Sequence, residues 1–221
     1  MQIVVVSSPG AGREPHWSQA VAAELAADAA QRGAAVRWLA AVHEGESTPT
    51  AGDGVQVSTF CERRALPLSK VAKSQVDAPL ELALTGLLRA EPNRVVVHVG
   101  LGGQGSPNVL WLADRLGSRT FACARGAELV CHRGDLIDRD REPCRDWNDA
   151  ERCRWCCATS WWSKPRANDL RNRVDLFVAG LHTCETITVP SEDDIPFVTD
   201  LGIAPARLTI GIPTLLAHLF R

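Results

Sequence analysis

Cys131, Cys144, Cys153 and Cys156 fall within 26 residues of a 221-residue chain, in the stretch LVCHRGDLIDRDREPCRDWNDAERCRWCCA. They are separated by 12, 8 and 2 residues, and the last pair reads as a Cys-x2-Cys knuckle. Thiolates are the ligands of zinc and iron–sulfur sites, and four of them satisfy a tetrahedral ion. The residues between them are dense in Asp, Arg, Trp and Pro and too polar to build a core. A structural zinc is expected to give this loop its shape, with iron–sulfur as the second choice. His132 could replace one cysteine, while Cys157, adjacent to Cys156, is spare. The competing reading is four small buried hydrophobes. The charged neighbours Arg141, Glu142, Arg145, Asp146, Asp149, Glu151, Arg152 and Arg154 argue against it. A catalytic zinc of the deaminase type is not expected, since its His-x-Glu and Pro-Cys-x-x-Cys pairing is absent.

Two glycine-rich turns each follow a strand-like run. SSPGAGREPHW places Gly10 and Gly12 ahead of a helix, where unpaired amides favour an anion; it lacks the Gly-Lys-Ser/Thr of a Walker loop. GLGGQG matches G-x-G-x-x-G at Gly100, Gly102 and Gly105. The acidic partner expected about 20 residues on is missing there, and Arg125 near that point could suit a 2′-phosphate instead. Both turns are equally well read as tight connections without a ligand. His98 ends an apolar strand, where ligands of open α/β sheets gather. Trp155, Trp161 and Trp162 lie among Arg152, Arg154, Lys164, Arg166, Arg171 and Arg173, a pattern read as arginine stems lying on indole rings.

These residues are positioned by short apolar runs alternating with helical patterns, the signature of a parallel sheet covered by helices. Strands are predicted at 2–6, 36–42, 55–60, 94–99, 119–124, 187–189 and 207–212. Helices are predicted from Trp17, Val21 and Leu25, from Leu80, Leu84, Leu87 and Leu88, from Val109, Leu112 and Leu116, and from Leu170, Val174, Phe177 and Leu181. Ser191 reads as the cap of a further helix opening with Glu192, Asp193 and Asp194, and Gly33, Gly117 and Gly202 read as helix stops. The cysteine loop is expected to follow an apolar β-like run. The prediction is one Rossmann-like α/β domain over 1–221 with a mostly parallel sheet and a cysteine-rich insertion at about 128–160.

Composition is ordinary for a globular chain, 45% apolar and 23% charged with net charge −2. That balance gives no reason to expect a nucleic-acid partner, and no apolar run is long enough for a transmembrane helix. MQIVVVSSPGAG is not a secretory leader. Eight cysteines without such a leader imply a reducing compartment, where metal binding or burial outranks disulfides.

The segment LVCHRGDLIDRDREPC with CRWCCA resembles the cysteine-bearing loop of certain bacterial GT-B glycosyltransferases. The opening strand with its glycine turn, and ITVPSEDDIPFVTDLGIAPARLTIGIP, are similar to the same group. The resemblance covers the whole chain but only the N-terminal, acceptor-side half of such an enzyme. It implies transfer of a glycosyl group from a nucleotide-sugar to a hydroxyl of a glycan, lipid-linked or small-molecule acceptor, with retention. Carried over, Gly10, Gly12 and Arg13 approach the donor diphosphate, and His98, Gly100, Gly102 and Gly103 line the acceptor cleft. It further implies either a fragment or one subunit working with a separate donor-domain protein, weak or no activity of the chain alone, and a cytoplasmic setting, with the inner membrane as an alternative. The chain departs from the family where a His-Asp pair commonly precedes the first loop cysteine; Arg125 and Gly126 stand there. The alternatives are a non-catalytic, metal-stapled binding module and an NADP-binding oxidoreductase domain.

Overall fold

Runs such as Ile-Val-Val-Val and Val-Val-Val-His-Val are β-branched throughout, which suits strands covered on both faces. The computed structural model describes residues 1–8, 17–42, 47–61, 78–91, 94–101, 106–157 and 166–221. It contains one seven-stranded sheet: β1 (Gln2–Ser7), β2 (Ala35–Val42), β3 (Val55–Cys61), β4 (Val95–Val99), β5 (Arg119–Cys123), β6 (Thr186–Val189) and β7 (Leu208–Ile210). Every neighbouring pair is parallel, in the order β3-β2-β1-β4-β5-β6-β7. The chain is a single α/β domain built on this sheet, and all seven predicted strands are present within one or two residues at most ends.

The described helices are α1 (Trp17–Gln31), α2 (Ala78–Ala90), α3 (Asn108–Arg115), α4 (Gly126–Val130), α5 (Ala150–Cys157), α6 (Ala167–Thr183), α7 (Ile195–Asp200) and α8 (Ile212–Leu219). Because side chains alternate along a strand, each sheet face owns a separate core. Ile3, Val5, Trp38, Val97 and Phe121 meet α1 and α8 on one side. On the other side Val4, Val6 and Val96 meet Leu80 and Leu84 of α2 and Val109 of α3. Ala122, Ile187 and Val189 meet α4, α6 and α7 there. The predicted stops Gly33, Gly117 and Gly202 all have positive φ, the conformation that ends a helix without a Cβ penalty.

Four details differ from the sequence reading. The apolar run before Cys131 is the short helix α4 and not a β-like segment. Cys153 and Cys156 stand one turn apart on α5, so the pair is helical rather than a knuckle in a loop. The chain past Ile212 is α8, opened by Pro213 in its first turn, where a missing N–H costs nothing. Ser191 caps no backbone amide: its hydroxyl donates to the Asp194 carboxylate at 3.1 Å, residues 192–194 form a 3₁₀ turn, and α7 starts at Ile195.

Phe121 is fully buried between α1, α8 and the sheet, whereas Leu82 of α2 is 73% exposed. Phe121→Ala is expected to cost about 3–5 kcal/mol and Leu82→Ser less than about 0.5 kcal/mol, both read from urea unfolding midpoints.

Candidate functional site

Sheet growth reverses between β1 and β4, so the C-terminal ends of these two strands frame the crevice where open α/β sheets bind ligands. Both predicted glycine turns follow those two strands in sequence. Residues 9–16 and 102–105 lie outside the described residues, so Gly10, Gly12, Arg13, Gly102, Gly103 and Gly105 receive no described place. His98 and Gly100 are described. His98 stands next to last in β4, fully buried, with Nε2 3.3 Å from the Ser8 hydroxyl past the end of β1. Among the described residues, its buried Nδ1 has no hydrogen-bond partner. Burial pulls the imidazole pKa down to about 3, so the ring is neutral at physiological pH.

Gly100 shows why a side chain is not accepted here. Its φ is +81°, and a Cβ would come within 2.5 Å of the Ser18 Cβ and 3.0 Å of the Ser8 carbonyl. The start of α1 thus presses onto the end of β4, and the Ser18 hydroxyl closes the contact by donating to the Ser8 carbonyl at 2.5 Å. On the neighbouring strands, the Trp38 indole N–H donates to the Ser7 hydroxyl at 2.8 Å.

A second group on this edge escaped the sequence reading. The Trp17 indole N–H donates to the buried carboxylate of Glu128 on α4 at 2.5 Å. The Arg125 guanidinium stacks over the Trp17 ring, 4.8 Å from its centroid. The Gly126 amide donates to Asp194 at 2.7 Å. Burial, with the nearby carboxylates of Glu128 and Asp194, pushes the Cys123 thiol up to about 12, so it is an inert core thiol. One local signal existed: Glu128 is the sole charge in an otherwise apolar GAELV run.

Cys131, Cys144, Cys153 and Cys156 line one concavity of about 230 Å³, which His132 and Cys157 share. Cys131 follows α4, Cys144 lies in the loop with its amide bonded to the Leu136 carbonyl at 2.7 Å, and α5 supplies the other two. Burial raises Cys153 to about 12, and the charges of Cys131, Cys144 and Cys156 push the same way; Cys144 is raised too, first by burial. The Arg133 guanidinium points an N–H at the Cys156 sulfur from 3.5 Å. Arg173, fully buried over the Phe177 ring, approaches His132 Nδ1 at 3.5 Å. Burial, helped by the Arg173 charge, lowers His132 to about 3.

Among the described residues, however, no three Cys, His, Asp or Glu side chains stand close enough together to hold a metal ion. The zinc centre expected from the spacing is not preformed: the thiols converge on one concavity without closing into a ligand shell. Cys123, Cys131, Cys144, Cys153 and Cys184 are present as thiols. Trp155 is 53% exposed under the Arg154 guanidinium at 5.8 Å, the stacking expected for this stretch. Trp161 and Trp162 lie outside the described residues.

No family model and no curated protein matches this sequence. Solved structures of the GT-B glycosyltransferase fold do. Phytolacca americana UGT2 complexed with UDP-2fluoro-glucose and pterostilbene is 14% identical over 94% of this chain and 52% of its own, with a TM-score of 0.54. The apo form of that protein gives 0.50 at the same identity, over 94% of this chain and 50% of its own. Os79 from O. sativa in complex with UDP is 18% identical with a TM-score of 0.47, over 93% of this chain and 50% of its own. The chain therefore spans about half the length of these solved structures, and the first pair establish a shared fold. No described helix is long and apolar enough to cross a membrane.

Two predictions follow from the β1–β4 edge. Gly100→Ala should lose about 2–4 kcal/mol of stability, the sum of a left-handed backbone penalty and overpacking, measurable by urea unfolding. His98 stays neutral in the fold down to about pH 3, but its unfolded reference is 6.5. The unfolded chain therefore binds the extra proton, and stability present above pH 6.5 drains away as pH falls. The slope approaches about 1.4 kcal/mol per pH unit for that proton. His98→Asn should show a shallower fall between pH 6 and 4.5.

Proposed function

We propose that this chain is the acceptor-side domain of a GT-B-type glycosyltransferase of the bacterial, retaining kind, transferring a glycosyl group from a nucleotide-sugar to an acceptor hydroxyl. The observation that carries the reading is the all-parallel sheet with its reversal between β1 and β4, which aligns with one half of a GT-B structure over 94% of this chain. The donor nucleotide is held by a second domain, on a separate chain or in continuation of this one. The acceptor is a glycan, a lipid-linked sugar or a small molecule, and the setting is cytoplasmic, at or near the inner membrane.

In this reading Gly10, Gly12 and Arg13 approach the donor diphosphate, since oriented amides and a cation offset the charge that builds on a leaving diphosphate. Gly100, Gly102 and Gly103 border the acceptor. His98, neutral and enclosed, carries no charge to offer a diphosphate. It positions: its bond to Ser8 joins the ends of β1 and β4, from which both glycine turns depart. The buried Glu128, bonded to Trp17 under Arg125, adjoins this edge through Trp17, the residue before Ser18.

The test pairs the full chain with a nucleotide-sugar-binding GT-B domain and follows labelled UDP-sugar into an acceptor pool. Transfer by the pair and not by either component alone is expected, with Arg13→Ala lowering it at least about tenfold. Acceptor binding with no transfer in any pairing would instead support a non-catalytic binding module. A thermal shift with NADPH, absent with UDP-sugars, would support the dinucleotide reading of GLGGQG.

A further inference from the structure

The two edges of the sheet are built differently. β7 is three residues long and follows directly on the Pro205–Arg207 turn, the brevity by which sheets deny an edge to other chains. β3, the opposite edge, runs for seven residues, Val-Gln-Val-Ser-Thr-Phe-Cys, without a charge, a proline or a glycine. One side of it pairs with β2 from Val55 to Cys61 in unbroken register, so no bulge twists the edge away. Among the described residues no strand pairs with the other side. Every second residue of β3 therefore turns its N–H and C=O outward from the sheet. Gln56, Ser58 and Thr59 are exposed there, and the outward backbone groups form a row that one more strand would satisfy.

We propose that β3 is a dimer edge: two copies of this chain pair antiparallel through Val55–Cys61 about a two-fold axis at Ser58, joining their sheets into one. The strand is complementary to itself in this arrangement. Centred on Ser58, the pairing sets Val57 of each copy across from Thr59 of the other, and Gln56 across from Phe60. Residues directly opposite in an antiparallel pair share a face and interact. Val57, packed on the core under α1, gains a β-branched neighbour. Phe60, packed on the core under α2, gains the stem of a glutamine.

Charge also suits self-pairing. The described charge nearest to β3 in sequence is Asp53, and an antiparallel ladder carries the two copies of it to opposite ends. A net charge of −2 leaves little long-range repulsion between copies. Two-fold pairing matches every β3 residue and closes on itself, which is the commonest symmetry of soluble oligomers. β2 stands between β3 and β1, so the β1–β4 edge stays open in the dimer, and the two such edges point in opposite directions. This inference does not depend on the sugar-transfer reading.

The experiment uses the full chain alone. Light scattering on a size-exclusion column should give twice the 23.9 kDa chain mass. Amide hydrogen exchange over 55–61 should slow as protein concentration rises, while 208–210 stays unaltered. Ser58→Lys sets like charges against each other across the axis and weakens dimerisation at least about tenfold, and Ser58→Asp does the same. Ser58 is exposed, so both variants keep the fold, read from circular dichroism and urea midpoints. Mixing the two variants restores a dimer with one copy of each. A wild-type chain still monomeric at about 1 mM overturns the proposal, as does a dimer indifferent to Ser58→Lys. Protection of 55–61 that does not depend on concentration shows the edge covered within one chain and overturns it too. Two folded variants that fail to associate when mixed overturn the antiparallel register.

Discussion

Ile3–Val6 and Val95–Val99 have no side in contact with water, and this double burial is the constraint from which the architecture follows. A parallel pair so enclosed needs helices on both faces and connections that leave from its C-terminal end. Two strands, β2 and β3, therefore extend the sheet one way from β1, and four lie on the other side. The two directions part between β1 and β4, the switch point at which open α/β sheets bind ligands. Polar groups placed there must be satisfied locally, because the strands beneath offer only paired backbone.

Most of the polar groups at that edge are satisfied this way, His98 Nδ1 being the exception among the described residues. Ser7, Ser8, Ser18 and His98 are all fully buried, and their hydroxyls and ring exchange bonds with Trp38 and with one another. Gly100 lets α1 come close enough for the Ser18 contact. The edge is thus pre-organised and electrically quiet at His98, while charge is kept one strand over, at Glu128, Arg125 and Asp194.

The cysteine segment obeys a different economy. It hangs from α4 at one end and α6 at the other, contributes no buried residue between its flanking cysteines, and gathers its thiols without joining them. Its helix α5 packs against α6, whose Arg173 lies fully buried over Phe177 and faces His132. Leu136 and Trp147 also pack on the core, the Trp147 ring meeting Phe197 of α7 edge-on at 6.0 Å, so the segment is tied to the domain along its length.

All seven strands were readable because strands buried on both faces are written as unbroken apolar runs, and the long helices because a repeat of 3.6 shows over three turns. Short elements were not: GAELV is too brief to reveal a period, and AERCRWCC is too polar. The IPTLLAHL helix was taken up into the preceding strand at its Ile-Pro start. The convergence of the four cysteines was anticipated from their spacing, but their failure to meet as a metal shell was not, since spacing sets reach and not distance. The Trp17–Glu128 bond joins residues 111 apart, and no local pattern can report such a pair. Periodic burial is a property of neighbours along the chain, and so the one-dimensional order carries it. Which polar groups face each other across the strand ends depends on how separate layers come to rest against one another, and only the folded molecule decides that.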